Sequence, residues 1–300
     1  MINYPQSIIE KIRERDFQHA GKLTRNLNFE DLDYLKHSNS FFKKYSNYLY
    51  KINKNLDYSV ECYLKMISDM HEQRNNFIKS GKYSNSSFKD VEMEIYSNPE
   101  IINYHMHGLT LAQFLWFDQY ERILFFSKNL LKYFNDGFKY LEVGGGHGLY
   151  IWQAIKILHK NVKFDLVDIS QSSLNLARGI NHNHNINFIL KDIYDFKAND
   201  IYDFITVGEV LEHLEDPGRA LIKIKKHLSK DGTCYVTTPI NAPMIDHIFL
   251  FNDENEIRKL FKNSGFKILE EKIVITEKYS YTKAMKFKIP IMYAAFVKPI

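Results

Sequence analysis

From Gly137 onward the chain alternates short apolar runs with segments of helical spacing, and few architectures accommodate that order. "FKYLEV" is an apolar run that ends in glycines, and "LYIWQAIKIL" follows with helical spacing. "VKFDLVD" reads as a strand and "SQSSLNLARGI" as a helix opened by a Ser cap. "INFILKD", "YDFITVG", "GTCYVTTP", "FKILEEKIVIT" and "IMYAAFVK" supply further strands, with "PGRALIKIKKHL" and "ENEIRKLFKNSG" as intervening helices. The pattern predicts an α/β fold with a mostly parallel, doubly wound sheet over 136–300. Such sheets bind ligands at the carboxyl ends of their strands, so site residues are expected just after each strand.

Residues 1–135 have a different grammar. "QSIIEKIRERDFQHA", "FEDLDYLKHSNSFFKKYSNYLYKI" and "YSVECYLKMISDMHEQRNNFI" all place apolar residues three or four apart, which predicts an all-helical N-terminal domain. "SNPEIINYHMHGLTLAQFLWFDQYERILFFSKNLLKYF" reads as one long or broken helix, with Ser97 or Asn98 as cap and Pro99 in the first turn. Lys plus Arg exceeds Asp plus Glu only by 40 to 36, a balance that speaks against a nucleic-acid partner. Cys62 and Cys234 stand far apart without ligand spacing, as expected in a reducing cytosol. No run reaches the ~18 apolar residues of a membrane helix, and the N-terminus lacks a signal-peptide core. A soluble, cytoplasmic protein without membrane contact is expected.

"LEVGGGHGLY" lies between the first strand and the first helix after it. Gly144, Gly146 and Gly148 allow a sharp turn and a close approach to a ligand, but the spacing G-x-G-x-G is not the G-x-G-x-x-G of dinucleotide enzymes. The second strand ends at Asp168, whose carboxylate can accept both hydroxyl protons of a ribose. The third ends at Asp192, which can accept from an adenine amino group. Each Asp is equally readable as a cap or turn former. Three strand-end signals in the correct order favour a nucleotide.

Together with "SQSSLNLARGI" and "EVLEHLEDP", these signals resemble the class I S-adenosylmethionine-dependent methyltransferases from about residue 137 to the C-terminus. The resemblance implies a seven-stranded, Rossmann-like methyltransferase sheet. Gly144, Gly146 and Gly148 would line the methionine part of S-adenosylmethionine, with Glu142 supporting the loop. Asp168 would hold the ribose and Ile169 the adenine face, while Asp192 and the backbone of Ile193 would read the adenine edge. His147 would face either substrate or solvent.

"VGEVLEHLEDP" follows the fourth strand. If it forms one turn of helix, Glu209, Glu212 and His213 share a face at i, i+3 and i+4. They could make a solvated surface, an acid–base device or part of a metal site. His247 lies in the loop after the fifth strand, at the same sheet edge, and two Glu with two His suit a divalent cation. The set resembles the E-x-x-E-H turn and later D-H-x-F segment of the small-RNA 3′-terminal 2′-O-methyltransferases, and the turn and later His of the ubiquinone-biosynthesis O-methyltransferases. "DHIF" matches at 246–249, whereas "LFNDENE" lacks the aromatic–Thr–Arg sequence of the RNA enzymes.

The resemblance implies metal-assisted O-methylation of a small molecule bearing hydroxyl or phosphate oxygens. The metal would be Mn, Mg, Fe, Co, Ni or Zn on Glu209, Glu212, His213 and His247, with His213 and His247 as the catalytic residues. An RNA 2′-O-methyltransferase, a metal-free N-methyltransferase, an NAD enzyme and a non-catalytic cofactor-binding module stand as alternatives. The N-terminal helices would form a lid and the acceptor pocket. Trp116 and Tyr120 read as core, while Tyr104 and His107 are pocket candidates because Gly108 would let a ligand come near.

Overall fold

The computed structural model describes residues 3–134, 139–158, 161–197 and 201–300. The expected division at 135/136, and Gly137 with it, lie outside these residues. The chain opens with α1 (Tyr4–Arg13), α2 (Phe17–Asn26), α3 (Leu32–Lys51), α4 (Leu56–Ser80) and α5 (Phe88–Val91), followed by a π-helical turn at Glu92–Tyr96. Then come α6 (Pro99–Leu115) and α7 (Phe117–Tyr133). "QSIIEKIRERDFQHA" is thus two helices, because the Asp16 carboxylate accepts from the His19 N–H at 2.9 Å and starts α2 afresh. Asn98, not Ser97, caps α6. The long segment breaks at Trp116, whose extended backbone (φ −104°, ψ 122°) separates α6 from α7.

The sheet region runs β1 (Lys139–Val143), α8 (Leu149–Ile157), β2 (Lys163–Asp168), α9 (Gln171–Ile180), β3 (Ile186–Leu190) and β4 (Tyr202–Gly208). It continues through α10 (Pro217–His227), β5 (Leu228–Ile240), α11 (Glu254–Asn263), β6 (Phe266–Ile275), α12 (Tyr281–Lys286) and β7 (Ile291–Pro299). Strand order is β3-β2-β1-β4-β5-β7-β6, parallel from β3 through β5, with β7 antiparallel to both its neighbours. The seven-stranded, doubly wound sheet is as expected; α12, between β6 and β7, was not anticipated.

Alternation along each strand divides the core in two. Tyr140, Phe204, Tyr235 and Phe296 face one way, with α6, α7, α8 and α9 residues. Leu141, Ile205, Val236 and Val297 face the other, with α10 and α11. The N-terminal helices therefore share a core with one sheet face. Phe41 on α3 lies 5.3 Å from Phe114 on α6 and 5.4 Å from Trp152 on α8, ring centre to ring centre. Order reverses between β2 and β4 on either side of β1, which puts the glycine loop and the β4 turn at one sheet edge. No helix of the described residues is long and apolar enough to cross a membrane.

Candidate functional site

Gly144, Gly146 and Gly148 all have positive φ (63°, 52° and 67°), so the chain after β1 turns through conformations that other residues adopt at a cost. A Cβ on Gly144 would stand 2.5 Å from Val210 Cγ2. Glu142 is buried and accepts the Ile151 N–H at 2.6 Å, satisfying a free donor in the first turn of α8. Burial pushes its carboxyl up to about 8. Asp168 accepts the Gly146 N–H at 3.0 Å on one oxygen and the Ser170 N–H at 2.8 Å on the other. It ties the end of β2 to the glycine loop and keeps a lone pair on each oxygen. Asp192 accepts the Tyr194 N–H at 2.7 Å in a tight turn.

Glu142, Gly144, Gly146, His147, Asp168, Ile169, Asp192 and Ile193 line one cavity of about 760 Å³. Gly148 is the exception. It faces α9, where Asn181 donates to its carbonyl at 3.1 Å and a Cβ would come within 2.8 Å of Asn181 Nδ2. Gly148→Ala is expected to lower unfolding free energy by about 1–2 kcal/mol, the cost of a left-handed L-residue, read by chemical denaturation. An unchanged denaturation midpoint would contradict the strained turn.

After β4 the chain does not form the expected helical face. Glu209 has a φ of 55°, and its N–H donates to the Thr237 carbonyl and hydroxyl, each at 3.1 Å. Only Leu211–His213 then makes a single 3₁₀ turn. Glu209 is thereby turned towards α7, where it pairs with Arg122 and accepts from Thr237 Oγ1 at 2.8 Å. Glu212, with 0% exposure, accepts from Thr238 Oγ1 at 2.9 Å on Oε2. Its Oε1 has no hydrogen-bond partner among the described residues. Burial, reinforced by Glu209, lifts the Glu212 carboxyl to about 8.

The Glu212 carbonyl accepts from the Ile248 and Phe249 N–H groups at 2.8 and 2.9 Å, which pins the His247 loop to this turn. His247 Nδ1 lies 2.6 Å from the Ala242 carbonyl, and His213 Nδ1 lies 3.0 Å from the Asp246 carbonyl. A carbonyl only accepts, so each Nδ1 carries a proton, and in the neutral imidazole the lone pair is on Nε2. Burial drives the His247 imidazole down to about 3. Burial also pulls His213 down, but Asp246 and Glu212 outweigh it and raise it above its ordinary value. Ligand atoms of Glu212, His213 and His247 all lie within 4.8 Å of one another. Their donor types and the orphaned Glu212 oxygen fit a divalent cation.

Sequence reasoning missed the supporting groups. Asp246 Oδ2 lies 3.5 Å from His213 Nδ1 and 3.7 Å from His105 Nε2, and accepts from the Tyr96 hydroxyl at 3.4 Å. Burial pushes its carboxyl up, but His213, His105 and His247 together hold it at about 2. On α6, His105 lines the cavity, while Tyr104 and His107 point elsewhere. The Tyr104 hydroxyl donates to Asp69 at 2.7 Å, and His107 Nδ1 lies 2.6 Å from the Tyr45 hydroxyl. Gly108 serves helix packing, since a Cβ there would lie 3.0 Å from the Met66 side chain. Tyr120 is core as expected, and Trp116, half-buried, packs against the same core while also lining the cavity. The cavity runs on between α2, α4 and α6, past Leu23, Met70, Leu109 and Trp116.

A family model described as a methyltransferase domain matches residues 115–271. The chain is 30% identical over 98 residues to the malonyl-[acyl-carrier protein] O-methyltransferase of Bacillus cytotoxicus, covering 33% of this chain and 34% of that protein. It is 25% identical over 121 residues to the ubiquinone biosynthesis O-methyltransferase of Rickettsia canadensis, covering 39% of this chain and 50% of that one. The chain thus spans half or less of the length of these curated relatives. Among solved structures, the mitomycin 7-O-methyltransferase MmcR superposes with a TM-score of 0.55 at 11% identity, over 82% of this chain and 70% of that one. That is a likeness of fold.

Proposed function

Because the chain belongs to the methyltransferase-domain family, we propose that it transfers the methyl group of S-adenosylmethionine to an oxygen of a small molecule, assisted by a divalent cation. The observation that carries the proposal is the convergence of three unspent ligand atoms, on Glu212, His213 and His247, in the cavity that also contains the glycine loop and Asp168. Glu142, Gly144, Gly146, Asp168, Ile169, Asp192 and Ile193 are the proposed cofactor contacts. The acceptor would enter between α2, α4 and α6. The apolar walls there suit a molecule with an apolar body and polar oxygens. A cation held by Glu212, His213 and His247, with Glu209 as a fourth ligand, would lower the pKa of an acceptor hydroxyl.

In the transfer itself, an acceptor oxygen forms a bond to the methyl carbon as the carbon–sulfur bond breaks in line, its electron pair passing to sulfur. The chain's residues align the two partners and exclude water. Burial lowers the His105 imidazole, which lines the cavity 3.7 Å from Asp246 Oδ2, and His105 is the group proposed to take the hydroxyl proton.

Asp168→Ala is expected to weaken S-adenosylmethionine binding by about 1.5–3 kcal/mol, the range for hydrogen bonds to charged groups. Calorimetry checks it, and unchanged affinity would remove the ribose contact. The function is tested by screening methyl acceptors with labelled cofactor, with and without chelator. Transfer to a hydroxyl compound that is lost with chelator supports the proposal; transfer to an amine indifferent to chelator would replace it with metal-free N-methylation.

A further inference from the structure

Arg122, on α7, has 0% exposure, yet the only hydrogen bond of its side chain among the described residues runs from Nη1 to Glu209. Its Nε and Nη2 have no partner. One helical turn back, Asp118 is 3% exposed and its Oδ2 is likewise unpartnered. Residues four apart share a helix face, and an acid placed before a base at that spacing can pair with it. The structure therefore holds one buried cation and two buried or half-buried carboxylates, with only one of the two pairings made.

Glu209 is the member that could leave. Both its side-chain bonds, from Arg122 and Thr237, fall on Oε1, and its side chain is 29% exposed to the cavity. Its carboxylate is not among the three groups whose ligand atoms lie within 4.8 Å of one another. To join them the Glu209 carboxylate must move, and a movement that lifts Oε1 from Nη1 takes away the one side-chain hydrogen bond of Arg122. A buried guanidinium stripped of its partner is strongly unfavourable, so Glu209 can leave only if another anion replaces it.

We propose that Asp118 is that replacement: when Glu209 turns to a cation held by Glu212, His213 and His247, Arg122 passes from Glu209 to Asp118. Asp118 and Arg122 are then positioning residues that set cation affinity without touching the cation. Burial lifts the Asp118 carboxyl to about 6, still below neutral, so it is available as an anion. The exchange rests on the cation proposal above, and it exchanges one buried ion pair for another.

The experiment is manganese(II) titration by calorimetry of the full chain, wild type against Asp118→Asn, Glu209→Gln and the double variant. Wild type is expected to bind one ion, and Asp118→Asn to bind it about tenfold more weakly, as for other residues behind metal ligands. In the Glu209→Gln background, Asp118→Asn is expected to change nothing further, because no carboxylate then needs release. An equal loss in both backgrounds would overturn the exchange, since removing any nearby negative charge would act that way. Glu209→Gln binding like wild type would also overturn it. No manganese bound to wild type would instead sink the cation proposal itself. A manganese-loaded wild-type crystal structure gives an answer without variants. Arg122 bonded to Asp118 is expected, and Arg122 still on Glu209 would refute the exchange.

Discussion

Removing divalent cations with excess chelator is expected to slow methyl transfer by about a hundredfold or more, while S-adenosylmethionine stays bound. The size follows from the several kcal/mol that a Lewis acid supplies to a reacting oxygen, at about 1.4 kcal/mol per factor of ten. The separation of effects follows from the geometry. Asp168 and the glycine loop stand at the ends of β2 and β1, whereas Glu212, His213 and His247 follow β4 and β5. His213→Ala should reproduce the loss and should not recover on adding manganese, because the turn then lacks one of the three proposed ligands, whose Nε2 lies 3.9 Å from Glu212 Oε1. Initial rates with labelled cofactor measure both. Undiminished transfer after chelation would reduce the cluster to a device that holds the β4 turn.

Trp152→Ala is expected to lower unfolding free energy by about 3–5 kcal/mol, as for other large aromatic truncations in cores. Trp152 is 1% exposed on α8 and packs edge-on against Phe41 of α3. It bridges the N-terminal helices and the sheet. Phe126 extends the same packing from α7, with its ring 5.1 Å from Tyr235 of β5 and 5.2 Å from Tyr150 of α8. The helices are therefore less a detachable lid than one wall of the sheet's own core. Urea denaturation followed by far-ultraviolet circular dichroism is expected to show one transition at lower midpoint. Two separated transitions, with only the helical one displaced, would contradict a common core.

Much of this architecture was legible because the central strands β1 and β4, buried on both faces, read as nearly continuous apolar runs, and β1, β2 and β4 are each followed by or end in a glycine or a carboxylate. Asp168, Asp192 and the glycines could be found by counting strands. The opening of α9 was equally plain, since Ser170 accepts from the Ser173 N–H at 3.2 Å. The less legible features depend on partners distant in sequence. Nothing near Glu209 signals Arg122, 87 residues earlier, or the positive φ that turns its side chain away from His213. His105 was hidden for a different reason. From Ile102 to Leu115, α6 is buried on nearly every side, so hydrophobic spacing cannot say which face meets the cavity. The break at Trp116 has neither Gly nor Pro to mark it.

The most direct measurement is a crystal structure with S-adenosylhomocysteine and manganese(II), with data collected at the manganese absorption edge. One anomalous peak within bonding distance of Glu212, His213 and His247 is predicted, with the nucleoside ribose on Asp168 in the same cavity. A nucleoside bound away from Asp168, or a cavity containing the nucleoside but no anomalous peak beside those three side chains, would contradict a cation-assisted methyl transfer at this site.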